Sequence, residues 1–225
     1  MRTTLLLCFC LWCIRPAQAQ AISKPKVKPQ HDPYAAALRF NFTGLADPID
    51  NNISLGGEFP FHPNWSLITD LAYIEYSAYF SNIKQTSGYI VKPAIRFYPY
   101  ALNHSGFFEA VLFYKKAHYH LRDWLGRDCV NGIPVYEQYK DFSYNKQVTG
   151  MNLQMGLQTD LSRNKQLRFE AYLGLGIRIR KQDVAGEENW CYNLQRGFAD
   201  VNGTSGTTVV SSFPIGMRII YCIRR

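Results

Sequence analysis

Long apolar runs are missing from this 225-residue chain. The longest, Leu5–Ile14, has ten residues, about half of what a helix needs to cross a bilayer. That excludes a helical membrane protein. Charged residues are also few, 19% of the total, while 47% of the chain is hydrophobic, a composition that excludes a disordered polypeptide. Cysteine is sparse at six residues, and their placement does not describe a disulfide-stapled small scaffold. No HExxH, GxSxG or phosphate-binding glycine loop occurs. After Asp32 no segment sustains the 3.6-residue period of an amphipathic helix.

What is present begins with an export pattern. Arg2, the apolar run, Pro16 and Ala17-Gln18-Ala19 read as a secretory signal peptide over residues 1–19, cut after Ala19. Its removal takes Arg2 and Arg15, so 25 basic residues become 23 against 17 acidic ones and the net charge falls from +8 to +6. It also takes Cys8, Cys10 and Cys13, leaving Cys129, Cys191 and Cys222. Residues 20–33 hold three prolines and three lysines without periodicity and read as a flexible basic leader. Residues 34–225 then form one domain, long enough for a sizeable core without staples.

That domain alternates. From Leu167 to Ile179 the odd positions are all apolar, while Arg168, Glu170, Tyr172, Gly174, Gly176 and Arg178 lie between them. Met151–Leu157 behaves the same way, with Asn152, Gln154 and Gly156 on the second face. Less pure alternation predicts further strands over 34–43, 52–59, 65–73, 88–97, 108–115 and 213–223. Eight strands result. Turns after the second, fourth and sixth are compact; Leu121–Asn145 and Lys181–Ser205 form long loops at the opposite end. Pro93 and Pro214 each remove a ladder donor and predict bulges or local bends.

The second face carries Arg39, Glu58, Lys92, Arg96, Arg168, Glu170, Arg178 and Arg218 among many glycines. A soluble barrel would turn this face to water, where glycine only weakens a strand. Inside a narrow barrel the glycines make room and opposite charges pair, as buried charge requires. The expected fold is therefore all-β: an eight-stranded antiparallel up-and-down transmembrane β-barrel with these eight residues as an interior charge network. Aromatics near predicted strand ends (Tyr34, Tyr73, Tyr76, Tyr79, Phe97, Tyr98, Tyr100, Tyr114, Tyr119) fit interfacial belts.

The segments Val91-Lys92-Pro93-Ala94-Ile95-Arg96-Phe97-Tyr98 and Glu170-Ala171-Tyr172-Leu173-Gly174-Leu175-Gly176, with the export pattern and the strand alternation, resemble the small Gram-negative outer-membrane β-barrel proteins. The chain is most similar to the uncharacterised Bacteroidota-type group among them. The resemblance spans nearly the whole mature chain and implies fold and outer-membrane location rather than an activity.

Candidate chemistry is thin. His118 and His120, two apart, point to one side of the fifth strand at the outer rim, where Asp123 or Glu137 could complete a metal site or a base. Ordinary rim residues are the plainer reading, and no cofactor or metal is implied. Cys129 and Cys191 fall in the two longest loops, where an oxidising compartment permits a disulfide. Basic residues are dispersed, which argues against nucleic acid and fits contacts to lipopolysaccharide phosphates. The expected function is structural or surface-binding, through long extracellular loops that meet outer-membrane lipid, lipopolysaccharide and an extracellular ligand, in a monomer without an open pore. The alternatives are a rim-site lipid-modifying enzyme and a soluble lipocalin-like carrier.

Overall fold

The structure is a computed structural model that describes residues 34–46, 50–77, 83–99, 106–131, 133–185, 190–194, 201–204 and 206–224. The expected signal peptide, leader, His104 and most of the turn after the fourth strand lie outside them.

Eleven strands follow: β1 Tyr34–Asn41, β2 Asn51–His62, β3 Trp65–Tyr76, β4 Ile83–Phe97, β5 Gly106–Arg127, β6 Tyr136–Asp160, β7 Leu167–Val184, β8 Trp190–Leu194, β9 Val201–Thr204, β10 Gly206–Ser212 and β11 Ile215–Arg224. A short 3-10 turn, Phe42–Ala46, follows β1. Neighbours in sequence pair antiparallel from β1 to β7, β7 takes β10 and β11 along its other edge, and β11 returns to β1. The sheet thus closes into a ring of eight strands, with β10 and β11 as two halves of the eighth. The ends of β1 and β11 that carry the chain termini mark one end of the ring; the β5–β6 connection marks the far end.

Neither proline shifts the register. Val91 pairs Tyr114 and Ala94 pairs Val111, three residues on each side, so the ladder resumes in step beyond Pro93. Ser212 opposes Gly176 and Ile215 opposes Leu173, again three on each side. Pro214 interrupts the strand without a bulge, because a missing N–H removes a bond but leaves the pleat intact.

The two longest predicted loops are largely sheet. β5 and β6 stay paired from Gly106↔Leu157 to Arg127↔Tyr136, leaving only 128–135 as connection, with Asp128 and Asn131 at positive φ. Within 181–205, β7 continues to Val184 and β8 and β9 form a hairpin that joins β5 at Gly126↔Cys191. Strand character persists there without an oily outer face, so the alternation that identifies the lower strands vanishes.

Burial follows parity. The outer face exposes Leu38, Leu55, Leu71, Leu112, Leu153 and Leu175, while the inner face buries charge and carries half-buried glycines. A Cβ at Gly176 would strike the Asn152 side chain and the Met151 carbonyl, which is why glycine lines that wall. Toward the far end the faces exchange character: Tyr119, Leu121, Leu125, Phe142, Tyr144 and Trp190 make an apolar core inside, while Lys116, His118 and Arg122 face out.

Candidate functional site

The interior of the ring is the candidate site. Alternation in β1, β2, β3, β4, β5, β7 and β11 turns Arg39, Glu58, Asp70, Arg96, Glu109, Glu170 and Arg218 into one buried cluster. Arg96 is its hub. Its guanidinium donates to Glu109 Oε2 at 2.6 Å, Glu58 Oε2 at 3.3 Å and Glu170 Oε2 at 2.9 Å, and lies 3.9 Å from the centre of the Phe107 ring. Arg39 bridges Glu58 at 3.5 Å and Asp70 at 3.2 Å. Arg218 bridges Glu109 at 3.2 Å, donates to Gln154 at 3.0 Å and stacks 3.8 Å from the Tyr172 ring. The Tyr34 and Tyr98 hydroxyls donate to Glu58 Oε1 at 3.1 and 2.6 Å.

Three expected members stand outside the hub. Arg168 sits near the terminal end, bridged to Asp160 at 3.1 Å. Arg178 lies over the Phe113 ring, 5.1 Å from its centre. Lys92 holds no ion pair among the described residues and lines a cavity instead. Asp70 and Glu109 join the expected residues in the cluster, both buried at inward parity in β3 and β5. Tyr34, Tyr98 and Tyr119 are not belt residues: all three point inward and are buried. Tyr73 and Tyr76 are exposed on the outside, and Phe97 and Tyr114 are half-buried. Tyr79 and Tyr100 lie outside the described residues.

Above the hub lies a cavity of about 130 Å³ whose lining includes Asn41, Asn52, Asp70, Lys92, Glu109, Lys115, Asn152, Arg178 and Arg218. Beyond it, Asp50 reaches inward from the β1–β2 connection to Lys115 and the Tyr119 hydroxyl, with Lys146 3.5 Å away. Burial alone would raise the Asp50 carboxyl, but Lys146 and Lys115 overcome it and hold the group down at about 2. Nothing in the sequence pattern marks Asp50, because it lies between strands and only ring closure brings it to β5 and β6.

His118 and His120 face outward on β5, with Nδ1 2.7 Å from Asn145 Oδ1 and 3.4 Å from Ser143 Oγ. The suggested acids are not brought to them. Asp123 has the opposite parity on β5, and Glu137 pairs with Gly126, six residues past His120. Among the described residues no three His, Cys, Asp or Glu side chains converge as metal ligands.

Cys222 is a free thiol buried inside the ring, whereas Cys129 is disulfide-bonded. The Cys191 side chain lies outside the described residues, but its backbone pairs with Gly126, three residues before Cys129. We expect a non-reduced peptide map to recover Cys129 and Cys191 in one cross-linked fragment. Recovery of Cys191 as a free thiol would exclude that bridge.

No curated protein and no solved structure matches the chain. A family model described as a protein of unknown function matches residues 6–223, nearly the full length, and on that match the chain belongs to the DUF3575 family.

Proposed function

We propose that the chain is an outer-membrane β-barrel protein of a Gram-negative cell. In this reading residues 1–19 export it, its terminal end faces the periplasm, and its role is structural or surface-binding through the far-end hairpins. The observation that carries the reading is a change in the outer face at matching positions on three adjacent strands. Leu112, Met151 and Ile177 form an apolar rung across β5, β6 and β7; two residues further along, Tyr114, Thr149 and Ile179 form the border; the next outward rung is Lys116, Gln147 and Lys181. An apolar-to-polar boundary carried across adjacent strands is what the edge of a lipid layer imposes.

The height agrees. On β7 the apolar outward residues run from Leu167 to Ile179. Twelve steps at about 3.3 Å each give ~40 Å along the strand, and a tilt of roughly 40° reduces that to ~30 Å, enough to span the ~25 Å apolar band of an outer-membrane barrel. A soluble carrier would turn these residues inward around its ligand. The filled interior supports a closed barrel rather than a pore. Lys116 and Lys181, just beyond the border, suit lipopolysaccharide phosphates.

The test is fractionation of cells expressing the full chain, followed by gel mobility of the detergent-extracted protein with and without boiling. Outer-membrane recovery and a heat-dependent mobility shift are the expected results. A folded protein that stays in solution without detergent would end the proposal.

A further inference from the structure

Beyond the polar border, the outward face of β5 carries Lys116, His118, His120 and Arg122 in succession. His118 is exposed and His120 half-buried. Side chains two apart on a strand stand on one face, with their Cα atoms ~7 Å apart. Two imidazoles at that separation can lean onto one ion, because each reaches several ångströms from its Cα and a metal–nitrogen bond adds about 2 Å more on each side.

The neighbours prepare both rings for this. His118 stands between Ser87 on β4 and Asn145 on β6, and His120 between Gln85 and Ser143 on the same two strands. All four are uncharged. His118 Nδ1 lies 2.7 Å from Asn145 Oδ1. An amide oxygen has no proton to give, so Nδ1 donates and Nε2 keeps the lone pair. His120 Nδ1 lies 3.4 Å from Ser143 Oγ, on the same side. Both rings are thus tethered to β6 through Nδ1, which leaves Nε2 as the nitrogen available to a metal. One ring nitrogen held by a polar partner is the arrangement that fixes tautomer and orientation in metal-ligating histidines.

The surrounding charge narrows the choice of ion. Lys116 and Arg122 flank the pair, and Asp141, opposite Arg122, is bridged to Lys84 at 2.6 Å. The Arg122 guanidinium lies 5.6 Å from the Tyr139 ring centre. These cations oppose any positive ligand, so an ion held by charge alone would not stay. Calcium and magnesium, which prefer oxygen, are disfavoured, whereas copper and zinc bind imidazole strongly enough to outweigh the repulsion.

We propose that His118 and His120 form a site for one divalent transition-metal ion of the copper–zinc class. The two Nε2 atoms bind it, and water fills its remaining positions. Asn145 and Ser143 are positioning residues that act through the rings. The pair stands outside the apolar band, so the site goes beyond the outer-membrane reading and does not depend on it.

The experiment is calorimetric titration of the full chain, purified in a neutral detergent, with Zn²⁺ and with Mg²⁺, together with electron paramagnetic resonance of the Cu²⁺-loaded protein. Zn²⁺ should bind with an affinity that His118→Ala and His120→Ala each lower at least tenfold, while Mg²⁺ binds at least a hundredfold more weakly. His62→Ala removes a single exposed imidazole from the β2–β3 turn and should change Zn²⁺ affinity less than twofold. Asn145→Leu leaves both ligands in place and should still weaken Zn²⁺ roughly tenfold, the usual cost of losing an outer-shell partner. Bound Cu²⁺ should couple to two imidazole nitrogens in the parent and to one in either histidine variant. All substitutions are on the outer face, and unchanged β-sheet circular dichroism shows that the variants fold. Zn²⁺ affinity that survives loss of either histidine would overturn the site, as would equal binding of Mg²⁺ or coupling of Cu²⁺ to a single imidazole in the parent.

Discussion

Replacing Arg96 by methionine should lower the stability of the folded protein by roughly 3–5 kcal/mol, the usual cost of breaking a buried ion pair from one side. Glu58, Glu109 and Glu170 all take hydrogen bonds from this one guanidinium, and all are buried. Methionine matches the length of the stem but leaves these charges without their common partner. Arg39 and Arg218 remain and share part of the load, so the ring should survive in weakened form. Adding Glu170→Gln to Arg96→Met should recover part of the loss, since one uncompensated charge then disappears. Urea unfolding in lipid vesicles reads the effect. Lys84→Met, which breaks the exposed pair with Asp141, serves as the control and should leave the midpoint unchanged within error. An Arg96 variant as stable as the parent would mean that the hub contributes no more than a well-packed apolar side chain.

Leu153→Arg carries the second large effect. Leu153 projects from the middle of the outer apolar band, with Ala110 and Leu175 as cross-strand neighbours. At the midplane of a bilayer an arginine costs about 2–4 kcal/mol on a barrel's lipid face. Water would solvate the same side chain freely, so a soluble ring would lose nothing. Folding into vesicles therefore separates the two environments by a single substitution. Gln147→Arg, two rungs beyond Met151 and past the border, should be nearly neutral. Equal stability of the Leu153 and Gln147 variants would argue against lipid around the ring.

Some of this architecture is readable from residues alone. In Leu167–Ile179 the period of two assigns every side chain to one of two faces, and a face that mixes arginine, glutamate and glycine is costly unless it is enclosed. Arg39, Glu58, Arg96, Glu170 and Arg218 follow from that argument, and all five are buried. Above Tyr114 on β5 the same argument loses its signal. There the outward residues become polar and the inward ones apolar, so an unbroken strand reads as the start of a loop. Leu121–Asn145 is a paired hairpin that lacks the alternation of the lower strands for this reason, not because its residues disfavour strand.

Alternation determined the strand class of the chain, the two faces of each strand and the sign of what each face holds, because side-chain direction in a strand depends only on parity. Partners across the ring needed closure in three dimensions. Asp50 meets Lys115 and Lys146 over sequence separations that no local period spans. The histidines lose their acids because Asp123 differs from them in parity and Glu137 lies beyond their reach. The eighth strand is the clearest case: β1 stops at Asn41 while β7 continues to Val184, so among the described residues β10 pairs with β7 alone. Strand lengths beyond the oily band are set by pairing across the sheet, which no single strand encodes.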